Sequence, residues 1–199
     1  LDDLLKPAYK GKVTINGDPQ GSSAGLNSIF MVNLALGGTL DDISPAVAWF
    51  KKLKQVGNFI NVNPTEATIA SGQTPVVMDN GYIAAGIAKN FAKAGKSWKL
   101  FTPASLGSTY NSAVSAWAPH PACARLWMEF TLGEEGAAIW AGGGATPTLW
   151  IWLVKTGRAP AAGLAAIGKS KVAPLKATSD QSAKARAYLK TAWPDAVGA

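Results

Sequence analysis

The chain has 199 residues, 48% of them hydrophobic and 16% charged, which predicts a folded globular protein of one or two domains. Its net charge is +7, but the positive residues are scattered, and the dense group at Lys51, Lys52 and Lys54 is typical of a solvated helix face. No nucleic-acid motif accompanies that group. One cysteine and one histidine exclude an internal disulfide, a cysteine-based zinc site and a histidine-rich metal site, so we expect no cofactor.

The longest apolar run, Leu149 to Val154, is far shorter than the roughly 18 residues that cross a bilayer, so no membrane-spanning segment is expected. The chain opens on "LDDLLKPAYKGK", without a start methionine or a signal peptide. This opening predicts a processed, truncated or fragmentary chain.

The first third of the chain predicts one strand and two helices. A helical turn over residues 1–5 precedes the strand "KVTIN", and a helix then starts at Ser22 or Ser23 and ends near Leu36. A second, amphipathic helix ends near Gly57, and its expected caps are Thr39 and Asp41 or Asp42.

The next third repeats this order. "NPTEATIASG" predicts a short helix, and Val76 to Met78 form a continuous apolar run that predicts a strand buried on both faces. A helix from Tyr82 to Ala94 follows, and "SWKLFTP" has the composition of a further strand.

The remaining residues predict mainly helices. "HPACARLWMEFTLGEEGAAIW" is strongly helical with a break near Gly133, and Trp127 and Trp140 are expected to pack on its apolar faces. The stretch Thr156 to Pro174 is the most linker-like, and the last helix is expected to have Ser179 or Asp180 as its cap.

Strands that alternate with helices predict an α/β fold with a parallel or mixed sheet, in which ligands bind beyond the carboxyl ends of the strands. Two strand ends combine polar residues with glycine: "NGDPQGSS" and "MDNGY". Ser22 and Ser23 can hold an anion at a helix start, or Ser22 or Ser23 can simply cap the helix. The loop lacks the lysine of a phosphate-binding Walker loop.

Asp79 and Asn80 follow the second strand and can bind a cation or an amine, although aspartate is also common in such turns. Tyr82 is either an aromatic wall of a site or a core residue. Tyr110 lies in the polar segment "GSTYNS", which favours a pocket or surface position.

The sequence assembles no nucleophile, base and orienting group, so we expect no enzyme. His120 lies between two prolines at a predicted helix start. Helix capping and the helix dipole explain the paired acids Asp2 and Asp3, Asp41 and Asp42, and Glu134 and Glu135.

Four stretches together resemble one family: "LDDLLKPAYKGKVTINGDP", "GGTLDDISPAVAWFKKLKQVGNF", "TIASGQTPVVMDNGY" and "APHPACARLWMEFTLGEEGAAIWAGGGATP". Their order is similar to that in bacterial extracellular solute-binding proteins, the receptors of ABC importers, and most similar to the branch that binds iron, polyamines and phosphonates. The resemblance covers residues 1–147 and, more loosely, the last helix. The stretch "PTLWIWLVKTG" is more aromatic than this family leads us to expect.

The resemblance implies a periplasmic-binding-protein-like fold of type II, with two α/β lobes, a mixed sheet flanked by helices, and a hinge. Residues 1–99 would form the second lobe, residues 100–146 the return segment that completes the first lobe, and residues 147–199 C-terminal helices that pack near the second lobe. The N-terminal part of the first lobe would be absent from this chain.

The resemblance also implies a set of solute contacts: Asp18, Gln20, Ser22, Ser23, Asp79, Asn80, Tyr82 and Tyr110. Iron binders of this branch use two adjacent tyrosines. Here Thr109 and Asn111 flank Tyr110, so the chain departs from that pattern.

The resulting hypothesis is a periplasmic or extracellular, membrane-tethered receptor of an ABC transporter. It would capture a polyamine, a phosphonate or another zwitterion or anion in a cleft that closes by a hinge, and deliver it to a membrane permease. The alternatives are a transferase-like α/β enzyme that acts on a small anionic substrate, and a lone interaction domain with an incomplete site.

Overall fold

The computed structural model describes residues 1–169 and 174–198, and these divide into two compact units. The first unit comprises the described residues within Leu1–Asn80, Phe101–Ser108 and Leu175–Ala199. The second comprises those within Gly81–Leu100 and Thr109–Pro174. The predicted division into lobes is not tested by these units and stays a prediction.

The first unit contains the strands and most of the longer helices. It begins with two short 3₁₀ helices, Asp2–Leu5 and Pro7–Tyr9. Its elements in chain order are β1 (Val13–Ile15), α1 (Ser23–Ala35), α2 (Ser44–Gln55), α3 (Glu66–Ala70) and β2 (Val76–Met78), and after the second unit the last helix returns to it. The second unit contains α4 (Gly81–Lys93), α5 (Pro121–Leu132), α6 (Glu134–Gly142), α7 (Trp150–Lys155) and α8 (Ala161–Ile167), and the last helix of the first unit is α9 (Ser179–Val197).

β1 and β2 form a two-stranded parallel sheet, with Val13 opposite Val76 and Ile15 opposite Met78. β1 is fully buried, whereas β2 is only half-buried, so the prediction of a strand covered on both faces is wrong. Among the described residues β2 pairs with β1 alone. A strand at the edge of a sheet lacks the second neighbour that would cover it.

The core of the first unit is an aromatic cluster between α2 and α9. The Phe50 ring lies 5.1 Å from that of Trp193 and 5.7 Å from that of Phe59, both edge to face. Leu53 and Leu189 are fully buried beside it. Burial of such side chains contributes about 1.5–3 kcal/mol each, so α9 is firmly held on α2.

The starts of the helices that the sequence predicted lie within a residue or two of the observed ones, whereas α7 and α8 were not predicted. Ser22 caps α1 as expected, because its hydroxyl oxygen accepts from the Gly25 backbone N–H at 3.2 Å. The last helix instead uses Thr178, in a reciprocal capping box with Gln181, so Ser179 and Asp180 were wrong. Before α2, the Asp42 carboxylate accepts from the Ser44 N–H at 2.9 Å, from a position just outside the helix.

The aromatic stretch "PTLWIWLVKTG" packs within the second unit. Trp150 is buried with Leu153 against Ala137 and Ala141 of α6, and Gly163 of α8 fits directly against the Trp150 ring. Trp152 is half-exposed, and the Arg158 guanidinium lies 5.2 Å above its ring while pairing with Glu134 at 2.7 Å. These tryptophans are therefore packing and surface-stacking residues.

Three further predictions for the second half are wrong, and one of them is the linker-like character of Thr156 to Pro174, since this stretch contains α8. Residues 97–103, "SWKLFTP", form no strand; the Trp98 ring packs on Phe91, 6.1 Å away, while Phe101 is exposed. An apolar run becomes a strand only where a neighbouring strand offers hydrogen bonds. Trp127 and Trp140 do not pack in a core, since 65% and 53% of their surfaces are exposed. The break between α5 and α6 at Gly133 is confirmed.

Within the described residues, no helix combines the length and the apolar character that crossing a membrane would require.

Candidate functional site

The carboxyl ends of the two strands bring Asn16 and Asp79 together. The parallel register places Ile15 beside Met78, and the Asn16 backbone N–H extends the ladder by donating to the Met78 carbonyl at 3.0 Å. The next side chains therefore emerge side by side. The Asn16 Nδ2 atom donates to the Asp79 Oδ2 atom at 2.9 Å.

The environment of Asp79 shifts the pKa of its carboxyl group upward. Partial burial raises the pKa of this carboxyl group, and the hydrogen bonds from Asn16 and from the Asn80 backbone N–H, 2.6 Å from Oδ1, oppose the rise. Among the described side chains, no lysine or arginine pairs with it. A half-buried carboxylate without a cationic partner inside the protein is suited to an external amine or ammonium group.

A second amide pair extends this cluster toward α1. The Asn27 Nδ2 atom lies 3.4 Å from the Asn80 Oδ1 atom and donates to it, linking the end of β2 to the second turn of α1. Asn16, Asn27, Asp79 and Asn80 are all half-buried. We call these four residues the strand-end cluster; it offers amide donors, carbonyl acceptors and one carboxylate.

The loop between β1 and α1 carries the other predicted residues of the first unit. Asp18 organises it: its Oδ1 atom accepts from the Gln20 backbone N–H at 2.9 Å, and its carbonyl oxygen accepts from the N–H groups of Gly21 and Ser22. Ser23 is exposed in the first turn of α1.

The sequence allows Ser22 and Ser23 to be either a ligand site or a helix cap, and in the structure Ser22 is the cap of α1. Its hydroxyl oxygen accepts from the Gly25 N–H, and the same hydroxyl lies 3.5 Å from the Asn16 carbonyl oxygen. Ser22 thus also links the loop to the strand-end cluster. Whether Ser23 or Gln20 contacts a solute stays a prediction.

Tyr82 and Tyr110 lie in the second unit, where the structure brings them together. Their hydroxyl oxygens are 2.8 Å apart and their rings meet edge to face with centroids 6.2 Å apart, although 28 residues separate them. Tyr110 is 68% exposed, which agrees with its predicted surface position. The sequence singled out each tyrosine separately and did not predict the pair.

The sequence analysis missed three residues that contact Asp79, Asn80 or the loop between β1 and α1: Asn16, Asn27 and Arg186. Asn16 had a readable signal, because it occupies the position after β1 that Asp79 occupies after β2. Arg186 had none, because it reaches the loop from α9, and no local pattern reports such a contact.

Neither of two surface grooves overlaps the predicted residues. A groove of about 600 Å³ in the second unit is lined mainly by α5, with Val114, Arg125, Met128, Glu129, Leu132 and Gly133. One of about 210 Å³ in the first unit lies between the start of α2 and α9. The strand-end cluster is recognised instead by its chemistry and its place at the sheet edge.

The described residues contain no group of three or more His, Cys, Asp and Glu side chains that could hold a metal ion. The strand-end cluster and the loop together supply hydrogen-bonding groups, a carboxylate and a helix start. Such groups bind and orient a polar molecule.

Comparison with known proteins agrees with this chemistry. The profile of a family described as "Bacterial extracellular solute-binding protein" matches residues 1–166. None of the curated proteins compared with the chain matches it significantly.

Proposed function

The chain belongs to the family of bacterial extracellular solute-binding proteins, and we propose that it captures a small polar solute for an ABC-type importer. Its location is accordingly the periplasm or the cell exterior. The proposed solute is a polyamine, a phosphonate, or another zwitterion or anion. The proposed partner is the membrane permease of the importer.

The observation that carries the proposal is the place and charge of Asp79. This carboxylate lies at the carboxyl end of a parallel strand pair, half-buried, held by Asn16, and without an internal cation among the described residues. An amino group of the solute would supply the missing positive charge. The start of α1, where the helix dipole is positive, would favour a carboxylate or phosphonate on the same solute.

The proposed mechanism needs no chemical step. In the type II fold that we propose, the solute would bridge two lobes, and hinge closure would exclude water from it. Residues 1–99 would form the second lobe, and residues 100–146 would form the return segment that completes the first lobe. Residues 147–199 would form the C-terminal helices that pack near the second lobe. Tyr82 and Tyr110 would contribute phenol hydroxyl groups.

The binding role, rather than catalysis, is supported by the family and by the chemistry of the site. An α/β transferase would need a nucleophile or base aimed at a reacting atom, and the strand-end cluster offers one carboxylate held by two amides. Incubation with the solute and analysis by NMR would test this point. Conversion of the solute would favour the enzyme.

Isothermal titration calorimetry with 2-aminoethylphosphonate and with spermidine tests the proposed solute. Asp79→Asn is expected to weaken the binding of whichever probe binds by at least tenfold, because an amide cannot neutralise an ammonium group. Asp195→Asn, at an exposed position on α9, removes the same charge and is expected to leave binding unchanged.

Three outcomes would contradict parts of the proposal. If neither probe binds, the proposed solute class is wrong. If Asp79→Asn unfolds the solute-free protein as much as it weakens binding, Asp79 is a structural residue. Small-angle scattering that is identical with and without a bound probe would count against closure.

A further inference from the structure

Arg186 of α9 holds a loop that is remote from it in the chain. Its Nη1 atom donates to the carbonyl oxygen of Gln20 at 2.9 Å and lies 3.4 Å from that of Pro19, across 166 and 167 residues. Both carbonyls belong to the loop that connects β1 to α1. Arg186 is not one of the proposed solute contacts.

We propose that Arg186 is a positioning residue of the solute site, which fixes the loop from Asp18 to Ser22 in the place where it meets the solute. The proposal rests on the proposed function, because that function makes this loop part of the site. Arg186 acts here through the loop's backbone and not by contact with the solute.

The loop's hydrogen bonds to Asp18 set its shape, and the Ser22 hydroxyl ties its last residue to Asn16 at the end of β1. The N–H groups of Gln20, Gly21 and Ser22 all point at Asp18, on its carboxylate or its carbonyl oxygen. These bonds span two to four residues, so they tie the turn only to itself, and they break when an unanchored turn opens. Among the described residues, the hydrogen bonds from Arg186 are those that tie the turn to a distant element.

The helix that carries Arg186 is well anchored. Its neighbour Ala185 and the next-turn residue Leu189 are buried in the core that α9 shares with α2. The half-buried guanidinium therefore projects from a rigid base toward the loop. A contact from a rigid element restricts the loop more than one from another loop would.

Arginine suits this task better than lysine. Its planar guanidinium presents several N–H groups in fixed directions and stays charged at any physiological pH, whereas a lysine ammonium is a point charge on a flexible stem. No carboxylate of the described residues pairs with Arg186. Its replacement thus removes the loop contact without leaving an acid unpaired.

Hydrogen–deuterium exchange on the whole chain tests the proposal. Arg186→Met keeps most of the apolar stem and removes the donors, and it is expected to speed exchange of the Gly21 and Ser22 amides at least tenfold. Arg186→Lys is expected to fall between this variant and the wild type. Lys190→Met, at an exposed position on the same helix, removes the same charge and is expected to match the wild type.

Equal loop exchange in Arg186→Met and Lys190→Met would overturn the proposal. If Arg186→Met also speeds exchange throughout β1, α2 and α9, the lysine variant decides: faster exchange confined to the loop supports positioning, and a uniform rise overturns it.

Calorimetry with 2-aminoethylphosphonate and spermidine gives the second readout. Where a probe binds the wild type, Arg186→Met is expected to weaken its binding at least tenfold and Lys190→Met to leave it unchanged. An unchanged affinity in Arg186→Met would overturn the role in the site. If the wild type binds neither probe, the solute assignment fails, and the exchange experiment still decides whether Arg186 positions the loop.

Discussion

The Asn16 amide nitrogen lies 2.9 Å from the Asp79 carboxylate, although 63 residues separate the two in the chain. The parallel pairing of β1 and β2 creates this contact, since each residue directly follows its strand. The amide holds the carboxylate in place without neutralising it. An arginine or lysine in the position of Asn16 would form an internal ion pair and leave Asp79 with no charge to offer a solute.

The first prediction concerns the dependence of stability on pH. Because burial raises the pKa of Asp79, the folded protein binds this proton more tightly than the unfolded chain does. Between about pH 4 and the raised folded value, unfolding releases the proton, so the contribution of Asp79 to stability falls as the pH rises. In an Asp79→Asn variant the side chain at this position is an amide, which does not titrate.

Thermal unfolding of the wild type and of Asp79→Asn, from pH 3.5 to pH 7, measures this effect. The Tm of the variant minus that of the wild type is expected to increase with pH across the interval. Asp195→Asn provides the control, because its exposed carboxylate is on the same unit. A Tm difference that stays constant or decreases across the interval would contradict the prediction.

The second prediction concerns Gly25, in the first turn of α1. A Cβ atom there would lie 2.6 Å from the Gly17 carbonyl oxygen and 2.8 Å from the Pro19 nitrogen, both backbone atoms that cannot rotate away. Gly25→Ala is expected to lower the free energy of unfolding by about 2 kcal/mol, as overpacking commonly does. Urea denaturation followed by circular dichroism would measure the change.

Gly21→Ala is the matched control, because a Cβ atom at Gly21 would meet no atom within 4 Å. It is expected to change the free energy of unfolding by less than about 0.5 kcal/mol, as for most surface substitutions. Equal effects of the two substitutions would show that the close approach of Gly25 to the loop does not restrict the fold.

Local patterns predicted the features that depend on neighbouring residues. Ser22 is readable as a cap because a cap bonds within three residues, and the strand–turn–helix order around Asp79 is readable for the same reason. The cap of α9 was misplaced by one or two residues, since Thr178, Ser179 and Asp180 all have side chains that can cap. Gln181 selects Thr178, because it stands three residues later and its side chain accepts from the Thr178 N–H in a capping box.

Features that depend on remote partners were not readable. "SWKLFTP" has a strand's composition, but a strand needs a neighbour, and the sequence does not say whether one is in reach. The Tyr82–Tyr110 pair and the bond from Arg186 to Gln20 also join distant segments. The candidate site was therefore predicted as separate residues, and its hydrogen bonds were not.

The third prediction concerns Asn33, a fully buried polar residue of α1. Its Nδ2 atom donates to the carbonyl oxygens of Thr39 and Asp42, at 2.6 and 2.8 Å, and its Oδ1 atom accepts from the Ala46 N–H at 3.1 Å. One side chain thus fixes the turn between α1 and α2.

Asn33→Ala would leave these three backbone groups without their partner, and the Ala46 N–H is the buried one among them. A buried group left unpaired costs about 1–3 kcal/mol, and each of the two other hydrogen bonds contributes about 0.5–1.5 kcal/mol, so we expect a loss of about 3 kcal/mol in the free energy of unfolding. Asn61→Ala, at an exposed position of the same unit, is expected to change it by less than about 0.5 kcal/mol. Urea denaturation followed by tryptophan fluorescence measures both, because Trp49 and Trp193 are buried in this unit. A loss below about 1 kcal/mol for Asn33→Ala would show that the turn between α1 and α2 holds its shape without the asparagine.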